Sequence, residues 1–390
     1  MESSIEGRCD ARFARVRDAF ARNVAERDEI GAAVAVSAGG SLVVDLWTGW
    51  ADLERRRRWA RDTIVNVYSC TKGMVALAAL QLVDQGRLEL DAPVARYWPE
   101  FARAGKDEIP VRWLLSHRAA LPAVKTMLPD AALYDWHAMT AALAGQPPWW
   151  TPGVRHGYHA VTYGWLVGEV VRRITGQSLG RYFREAISGP LALDFHIGLA
   201  ESEHARCGDM SSIPIPEPGG EAESNLGSVI MNDPEGMASL AFINPPSMLL
   251  GPNTREWRAA EIPGANGHGT ARDLATVYGA LATGGGPGGR PLLGRDALAL
   301  CHAEQSLGPD LVLGLTTRFA NGFMLSQRRP RAAFGPNPRA FGHPGAGGSV
   351  GFADPDAGVG FGYVMNRMGP HILLDPRAEA LIDAVYACLA

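Results

Sequence analysis

The first stretch of the chain interrupts charged residues with Phe13, Val16, Phe20 and Val24. That recurrence predicts an amphipathic helix over residues 10–29. Two β-rich runs, residues 32–38 and 41–47, flank Gly39-Gly40 and predict a hairpin. A strand-like run over 63–68 leads into Ser69-Cys70-Thr71-Lys72 and an apolar stretch, 74–83, in which no further charge appears before Asp84. A helix with so little polar surface is expected to be buried on all sides. Helical patterns follow at 111–115, 162–174 and 271–282, separated by Pro- and Gly-rich loops. The polar segment 207–252 carries Pro214, Pro216, Pro218, Pro234, Pro245 and Pro246 and is long enough to predict a lid or a site wall. Residues 284–289 read as a Gly-rich linker. Strand patterns return at 321–325, 340–343, 349–354 and 359–365, and a helix over 376–389 closes the chain. Strands at both ends with helices between them predict an α+β fold. One antiparallel sheet is made from both termini and flanked by helices, with a mostly helical domain inserted. The expected division is a discontinuous α/β domain, 1–85 and 285–390, around a helical domain, 86–284. The site is expected at the junction, where pockets tend to form.

Composition narrows the picture. The 390 residues are 46% hydrophobic and 20% charged, with a formal net charge of −4. Nothing basic enough for a nucleic-acid footprint is present, and no run is long enough to span a bilayer. Arg55-Arg56-Arg57-Arg58 reads as a solvated hairpin or loop, with an anionic-partner site as the less favoured reading. The segment 5–8, Ile-Glu-Gly-Arg, matches a protease recognition sequence and is given no functional weight. Five scattered cysteines, Cys9, Cys70, Cys207, Cys301 and Cys388, show no CxxC or zinc spacing, so reduced thiols in a cytoplasmic protein are expected.

The chemistry concentrates at Ser69 and Lys72. Three residues apart on a helix, they share a face. In the first turn the free N–H groups favour an oxyanion and disfavour a charged Lys72, and a neutral amine can accept the Ser69 proton. The chain has three lysines, Lys72, Lys106 and Lys125, and only Lys72 follows a serine by three. The competing reading is a capping serine followed by a solvated lysine. Tyr158, after the Pro152-Gly153 turn and before a helix, is placed to point its phenol into a cleft; near a charged Lys72 its pKa is expected to fall. A half-buried core tyrosine is the alternative. His159 is a second candidate base, ranked below Lys72. His156 and His159 lack a readable third ligand, so no metal is expected, and no cofactor. The Gly-rich stretch 341–349 offers an oxyanion hole: the N–H of Ala346, after Gly345, is expected to oppose that of Ser69. Gly347-Gly348-Ser349-Val350-Gly351 fits Gly-x-Ser-x-Gly, but strands rather than a helix follow, so Ser349 reads as a decoy. Trp149, in Pro147-Pro148-Trp149-Trp150, is a candidate wall of the acyl or alcohol pocket.

These elements, in this order, resemble the serine β-lactamase and penicillin-binding-protein superfamily, and within it the family VIII carboxylesterases. Ser69-Cys70-Thr71-Lys72 is similar to the Ser-x-x-Lys motif. Tyr158-His159-Ala160 stands where Tyr-x-Asn is expected, and His343-Pro344-Gly345 where class C β-lactamases carry Lys-Thr-Gly. The segments 114–121, 164–169 and 266–272 look similar too. The resemblance implies acyl-enzyme chemistry: Ser69 attacks, Lys72 and Tyr158 move protons, and the N–H groups of Ser69 and Ala346 hold the oxyanion. It implies substrate contacts at His343, Gly345 and His159. Ala160 in place of Asn, and His343 in place of Lys, argue for small uncharged esters over penicillins. The expected activity is that of a serine carboxylesterase acting on short-acyl esters, with a small-molecule ester as its partner and neither nucleic acid nor membrane. The rivals are acyl transfer from the same acyl-enzyme, an amidase of the β-lactamase or D-aminopeptidase type, and a non-catalytic binding domain.

Overall fold

The computed structural model describes residues 4–214, 233–249, 251–286, 290–327 and 333–390. Among the described residues, nine strands form one antiparallel sheet. In chain order they are β1 (Glu6–Cys9), β2 (Gly31–Ala38), β3 (Ser41–Gly49), β7 (Ser306–Pro309), β8 (Thr316–Phe319), β9 (Met324–Leu325), β10 (Phe341–Pro344), β11 (Val350–Asp354) and β12 (Val359–Met365). Their spatial order is β1-β3-β2-β12-β11-β10-β9-β8-β7, so β12 from the end of the chain pairs with β2 from its beginning. A second, three-stranded sheet pairs β4 (Val65–Asn66) and β5 (His196–Ile197) with β6 (Gly267–Gly269) between them. The α+β class expected from the sequence is the one observed.

Gly39 and Gly40, with φ of 57° and 82°, make the two-residue turn that joins β2 to β3. Strand alternation then assigns the two faces of β12. On one face a Cβ on Gly360 would overlap the Gly279 backbone, and one on Gly362 the Ala271 carbonyl, so the helix Ala271–Thr283 lies close against the sheet. On the other face Phe361 stacks on Phe352, and Tyr363 donates a hydrogen bond to Glu29. The helices Ala14–Glu26 and Pro376–Leu389 pack together on that side.

Several elements differ from expectation. The segment containing Glu6-Gly7-Arg8 is the edge strand β1, in register with β3, although its charged side chains give no strand pattern. Of 63–68, only Val65 and Asn66 are strand, and they belong to the small sheet. The hairpin β7–β8 left no readable signal, because Gly308 and Pro309 break the first strand and its alternation. The segment 207–252 is not loop throughout: it holds the helix Met237–Ile243. Pro216, Pro218 and residues 287–289 of the expected linker lie outside the described residues. The arginine run resolves into local roles. Arg57 donates to the carbonyls of Ala205 and Cys207, Arg58 lies 3.9 Å over the Trp50 ring, and Arg56 pairs with Glu54.

Candidate active site

The helix Cys70–Asp84 is buried along most of its length, and Ser69 stands at its N-terminus. Tyr68, immediately before it, has a φ of 45°, a left-handed conformation that a bulky residue rarely adopts. It turns the chain sharply out of the small sheet. Ser69 itself is already helical, with φ −68° and ψ −8°, and its side chain caps no N–H of the helix. The hydroxyl goes instead to Lys72, whose Nζ lies 2.8 Å from Ser69 Oγ. Thr71, between the two, receives the Gly267 N–H at 2.8 Å and so ties the motif to β6. The capping-serine and solvated-lysine reading does not fit this arrangement.

Lys72 is 0% exposed. Burial pushes its pKa well below that of an ordinary lysine. Its two other contacts are backbone carbonyls, Ala160 O at 2.6 Å and Gly264 O at 2.7 Å. A carbonyl only accepts. A neutral amine therefore gives its two N–H bonds to Ala160 and Gly264 and leaves its lone pair facing the Ser69 hydroxyl. The position that holds Ala in place of the Asn of Tyr-x-Asn thus still reaches Lys72, through its main chain.

Tyr158 is buried, and the Ser69 hydroxyl is among the groups that act on its phenol. Lys72 Nζ lies 4.8 Å from its ring centroid. The expected lowering of its pKa is not what the surroundings impose. Burial raises it, and the Asp310 carboxylate raises it further, while the nearby Ser69 hydroxyl opposes them. The expectation assumed a charged Lys72, whereas burial disfavours the charged form. Beneath the Tyr158 ring lie His117 at 5.0 Å and Phe319 at 6.2 Å, the latter nearly parallel.

Gly345 crosses the start of the serine helix so closely that a Cβ there would overlap the Val67 carbonyl and touch Cys70 Sγ. Cys70 Sγ in turn donates to the His343 carbonyl at 3.3 Å. These contacts bring the stretch that carries Ala346 to the start of the serine helix. Among the described residues, neither the Ser69 nor the Ala346 N–H has a hydrogen-bond acceptor. His343 is buried 5.8 Å from the Tyr158 ring, centroid to centroid. Its Nδ1 donates to Pro344 O at 2.7 Å, and its buried Nε2 has no partner. Burial lowers its pKa to about 3, so the ring is neutral.

Two candidates do not reach the cluster in the expected role. His159 is fully buried with both ring nitrogens engaged: Nε2 accepts from Leu121 N at 3.1 Å, and Nδ1 donates to Gly157 O at 2.8 Å. Both ring nitrogens are engaged by backbone groups, so His159 ties Leu121 to Gly157. Trp149 is half-buried, its indole N–H donates to Ala123 O at 2.8 Å, and Lys125 Nζ lies 5.1 Å from its ring. Among the described contacts none links it to Ser69. Ser349 is fully buried immediately before β11, so a strand and not a helix follows it directly, as expected of a decoy. Sequence reasoning missed Gly264, because a backbone carbonyl leaves no trace in residue type. It missed His117 and Asp310 because they reach Tyr158 from remote parts of the chain. Among the described residues no His, Cys, Asp and Glu group is arranged to hold a metal ion.

The sequence model of the β-lactamase family matches residues 16–385. The chain is 33% identical over 393 residues to the esterase/β-lactamase LipL of Mycobacterium tuberculosis, covering 95% of this chain and 85% of that protein. Among solved structures, a family VIII carboxylesterase superposes with a TM-score of 0.89 at 42% identity, over 99% of this chain and 100% of the other. A penicillin-binding-protein homologue from Caulobacter crescentus superposes with a TM-score of 0.88, also at 42% identity, over the same shares of the two chains. On the extent of the sequence match and the shared fold, the chain belongs to the β-lactamase family.

Proposed function

We propose that the protein is a serine carboxylesterase that cleaves small, short-acyl esters through an acyl-enzyme. The observation that carries the reading is the Ser69 hydroxyl held 2.8 Å from a buried, neutral Lys72. Ser69 Oγ attacks the ester carbonyl as its proton passes to the Lys72 amine. The N–H groups of Ser69 and Ala346 receive the oxyanion. Tyr158, kept as a phenol, donates its proton to the departing alkoxide, and the Lys72 ammonium restores it. Water then repeats the sequence on the acyl-Ser69 and releases the acid. The directions of the two shifts, Lys72 down and Tyr158 up, favour Lys72 as base and Tyr158 as acid.

Relatives named as esterases support the ester as substrate. The neutral His343 supports an uncharged one, since it offers no cation to a carboxylate where the resemblance places a lysine. The two-lobed division at residues 85/86 and 284/285, with the cleft at the junction, belongs to the same proposal. So does a cytoplasmic location, which the five unpaired cysteines fit. Among the described residues no helix is long and apolar enough to cross a membrane. The test is a fluorophosphonate probe followed by peptide mapping, alongside turnover of a nitrophenyl ester, a cephalosporin and a D-amino-acid amide. The proposal expects an adduct on Ser69 that Lys72→Ala abolishes, and turnover of the ester foremost. An adduct on Ser349, or turnover of the cephalosporin alone, overturns it.

A further inference from the structure

Tyr158 is carried on a short irregular stretch between the Pro152-Gly153 turn and the helix Thr162–Thr175, with no regular element to fix it. His117 holds the N–H groups of the residues on either side of Tyr158, Gly157 and His159, and what holds the Tyr158 N–H itself comes from a part of the chain about 150 residues away. Asp310, 2% exposed, begins the turn between β7 and β8. Its Oδ1 accepts the N–H groups of Val312 and Leu313 at 2.9 and 3.0 Å, which shapes the turn, and that of Tyr158 at 2.9 Å. Its Oδ2 accepts the Thr317 hydroxyl at 3.0 Å. Having given its proton to Asp310, Thr317 Oγ1 accepts from His156 Nε2 at 2.8 Å, and the Leu311 N–H donates to His156 O at 3.2 Å. The same hairpin supplies Phe319, whose ring lies nearly parallel to the phenol. Tyr158 is thus gripped by one hairpin at both its backbone and its ring.

We propose that Asp310 is the positioning residue for Tyr158, fixing the backbone from which the phenol reaches Ser69. A charge-assisted bond from a buried N–H holds more firmly than a neutral one. It holds at the one place where a small displacement would separate the phenol from the leaving oxygen. The inference deepens the esterase reading and rests on it, because it assigns Tyr158 as the acid for the departing alkoxide.

That assignment makes the test specific. A nitrophenolate departs without a proton, whereas a simple alkoxide requires one. In Asp310→Ala, kcat/KM, which reports the steps through acylation and not the deacylation common to both esters, is expected to fall by about 10–100-fold for an ethyl ester and by less than about threefold for a nitrophenyl ester of the same acid. Asp310→Asn keeps an oxygen where the three N–H groups converge and an amide facing Thr317, so it is expected to restore both rates to within about threefold of the parent. Equal losses on the two esters in Asp310→Ala overturn the proposal, because a merely structural role does not distinguish leaving groups. An ethyl-ester rate in Asp310→Ala equal to the parent's overturns it as well. Hydrogen exchange of the Tyr158 amide gives a reading independent of turnover, slow in the parent and in Asp310→Asn and fast in Asp310→Ala. If the parent shows no Ser69-dependent hydrolysis of either ester, the esterase reading fails, while unchanged amide exchange in Asp310→Ala sinks the role of Asp310 alone.

Discussion

Two of the three lysines show how a third partner decides what a buried amine does. Lys106, like Lys72, is 0% exposed, and its Nζ has three acceptors, the carbonyls of Arg103, Ala144 and Gln146. Three groups that only accept call for three N–H bonds, so Lys106 works as an ammonium, although burial lowers its pKa to about 8. Lys72 has two carbonyls and one hydroxyl, and the hydroxyl can give as well as receive. Lys72→Arg, which cannot shed its proton, is expected to lower kcat for a nitrophenyl ester on the order of 10³-fold with KM nearly unchanged. Lys106→Met leaves three buried carbonyls without a donor and is expected to lose about 3 kcal/mol of stability in urea unfolding, with kcat intact. The pH profile carries the same sign. The productive form of Lys72 is the free amine, so kcat/KM falls as pH drops through the Lys72 pKa. Since burial depresses that pKa, the falling limb is expected well below the 10.5 of an ordinary lysine. A limb near that value would mean that Lys72 is not the base.

At the scale of elements, the site is made by segments that approach closely rather than by one motif. The helix Thr162–Thr175 and the turn that carries Gly264 meet at two glycines: a Cβ on Gly164 would overlap the Gly264 amide nitrogen. Asn266 holds that turn, with Nδ2 donating to the carbonyls of Trp257 and Ala260 and Oδ1 accepting the Ile262 N–H. Gly164→Ala favours the helix by propensity, yet pushes the turn away and takes the Gly264 carbonyl off Lys72. The expected result is a fall in kcat of about tenfold or more with the far-ultraviolet circular dichroism unchanged. Retained activity would show that the turn can shift without cost. The Ser69 helix and the terminal helix were legible because each keeps one pattern over many residues. The hairpin β7–β8 was not, since a four-residue strand ending in Gly-Pro shows no alternation. The two- and three-residue strands of the small sheet are shorter than any period.

Across the whole molecule, one buried cluster joins segments from both ends of the chain to the loop beside Ser69. Arg377 donates to Glu29, to Asp375 and, at 2.8 Å, to the Gly347 carbonyl, while Tyr363 donates to Glu29. Two carboxylates face one guanidinium, and desolvation raises the Glu29 pKa to about 7 against the pull of Arg377. A carboxyl raised in the folded state contributes stability that is complete below its unfolded pKa, near 4.5, and is lost as pH rises through about 7. Thermal unfolding is therefore expected to show Tm falling across that window, and Glu29→Gln to flatten the fall by roughly 2–4 °C. An identical slope in the variant would place the titration elsewhere.

By itself the sequence determined the fold class, the order of the main elements and the Ser-x-x-Lys pair, because each rests on periodicity or spacing along the chain. It also marked Tyr158 and the Gly-rich stretch by type and order. It could not reveal that His159 closes on the backbone at both nitrogens, or that Ala160 and Gly264 serve Lys72 through their carbonyls. Nor could it show that Asp310 holds Tyr158 across the fold. A main-chain oxygen is the same in every residue, and the direction of a ring nitrogen or a carboxylate depends on what the rest of the chain packs around it. The same holds for Lys72: its place on a helix is written in the spacing, but the burial that lowers its pKa is supplied only by the tertiary structure.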